Sequence, residues 1–238
     1  MIYARRSLRL YLANRQYVLG VPVYTLGLMV LFSILIAVVI GIGTGFPLSA
    51  QAREGFRFNS GAIWCIPGFL VSVGALAATR NFAMALAFGS TRRHFWLGTT
   101  AGFVVTSAVT AVTSAVLLAL EQATGHWFIG AHAFDVTALG DGSYPETVAV
   151  MFVLSLLSTC AGAMFGTVFR AFGPRATALL GIGAAVALFA VIAVAVWQRE
   201  AVGTLLAQWG SWAGVVVGSV LVVITAAGSY AACRLATV

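Results

Sequence analysis

Residues 147–197 read TVAVMFVLSLLSTCAGAMFGTVFRAFGPRATALLGIGAAVALFAVIAVAVW, two long apolar runs joined by a short segment that carries two arginines. The runs at 147–169 and 176–197 contain no Asp, Glu, Lys, Arg or His. A helix needs about 20 apolar residues to cross a bilayer. Each run reaches that length, and this stretch therefore predicts two membrane-spanning helices.

The rest of the chain repeats this pattern. Four further apolar runs lie at 18–42, 60–79, 97–120 and 210–233. The chain is 61% hydrophobic and 8% charged, against about 25% charged in a soluble domain. A chain in hydrocarbon must pair its own backbone groups, and such runs therefore become helices. We predict an all-α, polytopic membrane protein: one domain, residues 1–238, with six transmembrane helices, an N-terminal segment at 1–17 and a loop at 80–96.

The arginines divide the connecting segments into two sets. Ten arginines and no acid lie in one alternate set, at positions 5, 6, 9, 15, 80, 92, 93, 170, 175 and 234. The other set carries Arg53, Arg57, Arg199 and all six acidic residues. Arginine-rich connections face the cytoplasm, and we expect both termini there. This distribution explains the net charge of +7 by membrane orientation, and no nucleic acid is expected as a partner.

The start of the chain imitates a cleavable signal peptide, with arginines, an apolar run and the sequence SAQA at 49–52. A signal core has about 7–15 apolar residues. The run from Val18 to Gly43 is much longer, and we expect it to stay in the protein as the first span.

Several kinds of active site are missing from the sequence. The chain has no lysine, which a phosphate-binding loop requires, and no hydrolase motif. We therefore expect no enzyme activity in this chain. No ionisable residue lies in the middle of a span, which disfavours a proton-coupled carrier. A secondary carrier or channel, and a membrane immunity or anchoring protein, remain the alternatives to the function given below.

Glycines recur every four residues in the last span, at Gly210, Gly214 and Gly218. Small residues at this spacing let helices approach closely in lipid. The pattern has two interpretations, packing within one chain and a contact between two subunits. Similar pairs lie at 98 and 102 and at 162 and 166.

The loop at 121–146 contains two histidines and an aspartate close together, His126, His132 and Asp135. Such side chains can coordinate a metal ion, but the sequence lacks the second half of any recognised metal-binding motif. We expect solvated histidines and no metal site. Cys65, Cys160 and Cys233 lie in apolar segments, where small packing residues are expected.

The loop between the second and third spans contains a short apolar helix, which we predict at Phe82–Phe88. Asn81 can cap its start, Gly89 ends it, and Ser90 or Thr91 can cap the next helix. A helix this apolar needs a partner. Either it lies on the lipid surface with Arg92 and Arg93 at headgroup phosphates, or a groove on another protein takes Phe82, Met84 and Leu86.

This loop, NFAMALAFGSTRRHFWLGT at 81–99, resembles the cytoplasmic loop of bacterial ABC-2 type permeases, the membrane subunits of ABC exporters. It is most similar to the small permeases of actinobacteria, with their G-x-T-R-R-aromatic segment. The six-span pattern and the N-terminal ARRSLRLYLANRQY at 4–17 extend the resemblance over the whole chain.

The resemblance implies a multi-pass subunit of the bacterial plasma membrane that works with two copies of an ATPase. It also implies a second permease subunit, identical or homologous. The spans offer aromatic and small residues but no fixed charge to hold an ion, and we therefore expect an amphipathic or hydrophobic substrate: a drug, a peptide or a lipid. No cofactor is expected in this chain, because ATP and Mg²⁺ would bind the ATPase. The coupling helix that contacts the ATPase, with its flank, would comprise Asn81, Phe82, Met84, Ala85, Leu86, Phe88, Arg92 and Arg93.

Overall fold

The computed structural model describes residues 2–46, 48–58 and 61–236. Within these ranges the chain is helical and contains no strand, which confirms the predicted all-α class. The α-helices are α1 (Ile2–Ala13), α2 (Val21–Thr44), α3 (Ala50–Phe58), α4 (Cys65–Leu76), α5 (Phe82–Ala87), α6 (Arg92–Ala123), α7 (Tyr144–Trp197), α8 (Arg199–Trp209) and α9 (Ser211–Leu235).

Among the described residues, five helical segments are long and apolar enough to cross a membrane. The first and second include wide π-type turns, at Gln16–Gly20 before α2 and at Ala77–Asn81 between α4 and α5. The second was predicted to begin at residue 60, which lies outside the described residues. The five segments are Gln16–Thr44, Cys65–Ala87, Arg92–Ala123, Tyr144–Trp197 and Ser211–Leu235.

Helix α7 contains both of the runs predicted at 147–169 and 176–197. Its helical backbone is interrupted at Gly173, where φ is 81° and ψ is −175°, and Pro174 has no N–H with which to continue the ladder. A Cβ on Gly181 would lie 3.9 Å from the ring of Phe165, and the two halves therefore lie side by side near the break. The predicted connection at 170–175 is a sharp break within one helical segment.

The first half of α7 is the centre of the bundle, and it crosses α4 with almost no space between the backbones. A Cβ on Gly74 would overlap the Thr159 carbonyl oxygen, and one on Gly162 would overlap the Val71 carbonyl oxygen. Small residues allow this approach. The Gly162 and Gly166 pair therefore serves packing within the chain.

The predicted glycine ridge of the last span does not form one packing surface within the chain. Gly210 lies before α9 with a φ of 53°, and Gly214 faces open space. Only Gly218 meets another helix, since its Cβ would lie 2.6 Å from Val153. Packing within the chain therefore explains Gly218 alone.

The N-terminal segment is part of the bundle. Tyr11 of α1 is buried against α6, where its ring packs edge-on to Phe103 at 5.6 Å between centroids. Its hydroxyl lies 3.0 Å from Thr106 Oγ1, and a Cβ on Gly102 would overlap its ring. The glycine at 102 therefore makes room for α1.

Candidate functional site

The arginine-bearing segments meet at one end of the bundle, which we call the arginine end. Helices that are distant in the sequence are joined there by side chains that bind the main chain or other side chains. The three hydrogen bonds are Ser7 Oγ to Ser90 Oγ (3.4 Å), the Arg170 guanidinium to the Thr79 carbonyl (2.6 Å), and the Arg92 guanidinium to the Arg234 carbonyl.

Helix α5 ends at the arginine end with a Schellman motif. The N–H of Gly89 donates to the Leu86 carbonyl at 2.9 Å, and the N–H of Ser90 donates to the Ala85 carbonyl at 3.0 Å. Gly89 has a φ of 77°, which glycine adopts at little cost. The predicted stop at Gly89 is therefore confirmed.

Thr91 caps the following helix, α6. Its Oγ1 accepts a hydrogen bond from the backbone N–H of His94 at 3.3 Å, and the His94 Nδ1 lies 2.7 Å from the same oxygen. One orphan donor of the helix terminus is thus satisfied. The chain makes a tight reversal between α5 and α6 over only four residues, 88–91.

The prediction that Asn81 caps the start of a separate short helix is wrong. Asn81 has helical backbone angles and makes no capping hydrogen bond, because Ala77–Asn81 forms a wide turn that continues α4 into α5. The intervening Ala77 and Ala78 are buried and favour helix. The predicted short helix is therefore the last part, Phe82–Ala87, of one helical segment that begins at Cys65, and Phe88 follows its last turn.

The predicted docking face is only partly available. Phe82 is fully buried, with its ring edge-on to Phe95 at 5.2 Å and the Arg170 guanidinium 5.0 Å from its centroid. Its proposed contact with a partner protein is therefore wrong in this conformation. Ala85 is also buried, and Leu86 is half-buried against this core.

Of the apolar side chains in the predicted docking segment, Met84 and Phe88 remain exposed at the arginine end. Met84 is 48% exposed and Phe88 is 69% exposed. Beside Phe88, a groove runs between α1 and the end of α5, and it is lined by Arg6, Ser7, Arg9, Leu10, Ala85, Phe88 and Ser90. We call Met84, Phe88 and this groove the arginine-end surface.

The opposite end of the bundle, which we call the acidic end, is organised by one buried carboxylate. Glu121, in the last turn of α6, has no exposed surface. It accepts hydrogen bonds from the backbone N–H groups of Ala133 (3.1 Å), Phe134 (2.8 Å) and Asp135 (3.3 Å). The loop that follows α6 is thereby folded back onto the helix end, where Phe134 is buried in the core.

The predicted histidine and aspartate group comes together beside this carboxylate. His126 Nε2 lies 3.0 Å from Asp135 Oδ2, and His132 Nδ1 lies 3.6 Å from the same oxygen and 4.0 Å from Glu121 Oε1. The two imidazole centroids are 4.1 Å apart. His132 is only 7% exposed, and the expectation of solvated histidines is therefore wrong.

The backbone that carries His126 is strained. His126, Trp127 and Phe128 have φ values of 62°, 57° and 63°, a left-handed conformation that non-glycine residues adopt at a cost of about 1–2 kcal/mol each. Such strain persists where surrounding contacts fix it. Here the Asp135 carboxylate and the packing of Trp127 into the core hold the turn.

The environment of His132 favours its neutral form. Burial, the largest cause, lowers the pKa of this imidazole, and the neighbouring His126 and Arg57 lower it further, whereas the Asp135 carboxylate raises it. Arg57 itself is paired with Asp141 at 3.0 Å. A neutral imidazole offers a free lone pair to a proton or a metal ion.

No protein-family model, curated protein or solved structure matches this chain. The fold alone therefore defines the class: the part of the chain that the structure describes is all-helical, with five segments long and apolar enough to cross a bilayer. Its two candidate sites lie at opposite ends of α6.

Sequence analysis missed Glu121 as a site residue. The available signal was its position, because a carboxylate in the last turn of an apolar helix opposes the helix dipole and needs compensating donors. The donors themselves are main-chain groups of residues 133–135, whose side chains give no indication of this contact.

Proposed function

We propose that this chain is the membrane subunit of a bacterial exporter driven by ATP that a separate ATPase hydrolyses. The observation that carries the proposal is the arginine-end surface. Met84 and Phe88 are exposed beside a groove that contains Arg6 and Arg9. Together with the resemblance of residues 81–99 to a coupling loop, this surface supports an ATPase as the partner.

The geometry supports a mechanical role for this surface. Cys65–Ala87 is continuous helix, so force on Phe88 at its end is passed along the helix to the crossing at Gly74. There the backbones of α4 and α7 touch, and a packed crossing of this kind moves as a unit. Movement of the ATPase would thereby tilt the centre of the bundle.

We further propose six spans with both termini in the cytoplasm. Arg170 contacts Thr79 at the arginine end, and Ser211 Oγ donates to the Thr137 carbonyl near the acidic end at 3.4 Å. The chain between Arg170 and Ser211 has to run from the arginine end to the acidic end. Residues 174–197 are helical beyond the break at Gly173 and supply that crossing, as the fifth span.

The proposed substrate is amphipathic or hydrophobic: a drug, a peptide or a lipid. Between Thr99 and Ser114 the buried polar side chains of α6 are hydroxyls, including Thr110, which donates to the Thr106 carbonyl, and Ser114, which donates to the Thr110 carbonyl. They leave no fixed charge to hold an ion. The outward apolar faces of residues 179–197 and 216–224 would contact lipid and a second permease subunit.

Aspartate substitutions at the exposed positions test this proposal. Met84→Asp and Phe88→Asp should release the ATPase during purification, or abolish the stimulation of ATP hydrolysis by substrate, because a charge replaces the apolar contact. Phe58→Asp is the matched control, since Phe58 is 71% exposed on α3, away from the arginine end. Unchanged association and coupling in both test variants would contradict the proposal.

A further inference from the structure

The side chains at the acidic end form an arrangement whose function is not explained by transport or by packing. Nδ1 of His132 is buried and has no hydrogen-bond partner among the described residues, and the same holds for Oδ1 of Asp135. A buried polar atom without a partner costs about 1–3 kcal/mol. Such atoms in a folded protein call for an explanation, and a bound ion is one.

The unpartnered nitrogen points into a group of potential ligand atoms. His126, His132 and Glu121 each offer one such atom, and these atoms lie within 4.8 Å of one another. Asp135 Oδ2 lies closer still to the two imidazoles, at 3.0 and 3.6 Å. Ligand atoms at about 2.0–2.2 Å from a tetrahedral ion are about 3.3–3.6 Å apart, and the two distances from Asp135 Oδ2 to the imidazole nitrogens, 3.0 and 3.6 Å, are close to that separation.

We propose that the acidic end binds one divalent transition-metal ion, with zinc preferred, through His126 Nε2, His132 Nδ1 and the Asp135 carboxylate. Imidazole nitrogens with one carboxylate suit zinc, whereas magnesium and calcium prefer oxygen ligands alone. Three protein ligands leave a fourth position for water. His126 is 32% exposed at its side chain, and the ion reaches the site past it.

Glu121 has a different role in this site. Both of its oxygens already accept backbone N–H groups, of residues 133–135. It is therefore a positioning residue, which fixes the backbone on which His132 and Asp135 are carried. Its charge, together with that of Asp135, also offsets the divalent ion, while the nearby Arg57 is paired with Asp141.

Binding would alter the acidic end in a defined way. The ion would replace the hydrogen bond between His126 Nε2 and Asp135 Oδ2, with the His126 imidazole as the tautomer that carries its proton on Nδ1, and would bind the unpartnered Nδ1 of His132. The strained turn at residues 126–128 would then be fixed to residues 132–135 by coordinate bonds. This proposal does not depend on the proposed transport function.

A zinc titration of the full chain tests the site. The protein is purified in detergent with a tag free of histidine, stripped with a chelator, and titrated with Zn²⁺ against a chromophoric competitor. We expect one ion per chain. His126→Ala and Asp135→Asn should weaken binding by more than about 100-fold, and Glu121→Gln by about 10–100-fold, the range for groups that orient ligands.

The third histidine of the chain supplies the matched control. His94 lies in the first turn of α6 at the arginine end, and His94→Ala should bind zinc like the wild type. Zinc should raise the melting temperature of the wild type and of His94→Ala, but not that of His126→Ala. Absence of zinc binding by the wild type, or equal affinity in the His126→Ala and His94→Ala variants, would overturn the proposal.

Folding of the variants does not decide the outcome. His126 is partly exposed, and its alanine variant keeps the hydrogen bonds from the amides of residues 133–135 to Glu121. The melting temperature of each apoprotein shows whether it is folded before titration. X-ray absorption of the zinc-loaded wild type gives a further readout: two imidazole ligands are expected, and a spectrum without imidazole contradicts the assignment.

Discussion

The two ends of the bundle use their charged side chains in different ways. At the arginine end, arginines tie helices together through main-chain carbonyls, while Met84 and Phe88 stay exposed. At the acidic end, Glu121 and His132 are buried and apolar residues of the loop complete the core. Exposed apolar groups fit a protein contact, and buried ionisable groups fit a site for an ion.

The largest loss of stability is expected at the crossing of α4 and α7, the contact on which both ends depend. Gly162→Ala should destabilise the protein by about 3 kcal/mol or more, because the new Cβ meets the Val71 backbone, which cannot move aside. Thermal unfolding in detergent measures the effect.

Gly27→Ala is the control for this prediction. Gly27 lies in α2 with open space around it, and alanine there should be neutral or stabilise by up to about 1 kcal/mol. Equal stability of the two variants would show that the helices do not cross as closely as described.

Glu121→Gln should affect the acidic end alone. The amide has no negative charge and points donors toward donors, so we expect a loss of about 2 kcal/mol. Hydrogen exchange should accelerate at the amides of Ala133, Phe134 and Asp135, which bind the carboxylate.

Amides of the arginine end, such as that of Ser90, should exchange unchanged in this variant. Glu54→Gln, at an exposed position of α3, should behave like the wild type. Equal acceleration of hydrogen exchange at both ends would contradict the prediction that Glu121 stabilises the acidic end alone.

Gly89→Ala should have the smallest effect and should loosen the arginine end. Alanine pays about 1–2 kcal/mol to adopt the left-handed backbone at this position. Gly55→Ala, in open space within α3, is the matched control. Thermal unfolding and proteolysis near residue 89 report the change, and equal behaviour of the two variants would contradict the Schellman stop.

Local features of the fold were predictable from the sequence, whereas tertiary contacts were not. Gly89 and Thr91 act through their own backbone and neighbours; Gly89 was predicted as the stop, and Thr91 was one of two predicted caps, with Ser90 as the other. The burial of Phe82 depends on Phe95 and Arg170, which lie in other helices. Asn81 was assigned as a cap because asparagine favours that position, but the continuing turn from α4 overrides the preference.

The same division applies to the acidic end. The sequence brought His126, His132 and Asp135 together as a possible group, since they are close along the chain. It gave no sign that His132 would be buried, because this follows from the loop folding onto Glu121. The break at Gly173 was predicted as a connection between two spans. How sharply the chain turns there depends on the backbone angles of Gly173, which a glycine followed by a proline permits but does not require.

The most direct test of the central claim is to identify what contacts Phe88 in the cell membrane. A photo-crosslinking amino acid at position 88, compared with one at position 58, should capture an ATPase with a lysine-containing phosphate-binding loop at 88 only. Capture of lipid alone at position 88, or of the same proteins at both positions, would contradict the account of this chain as a permease driven by a separate ATPase.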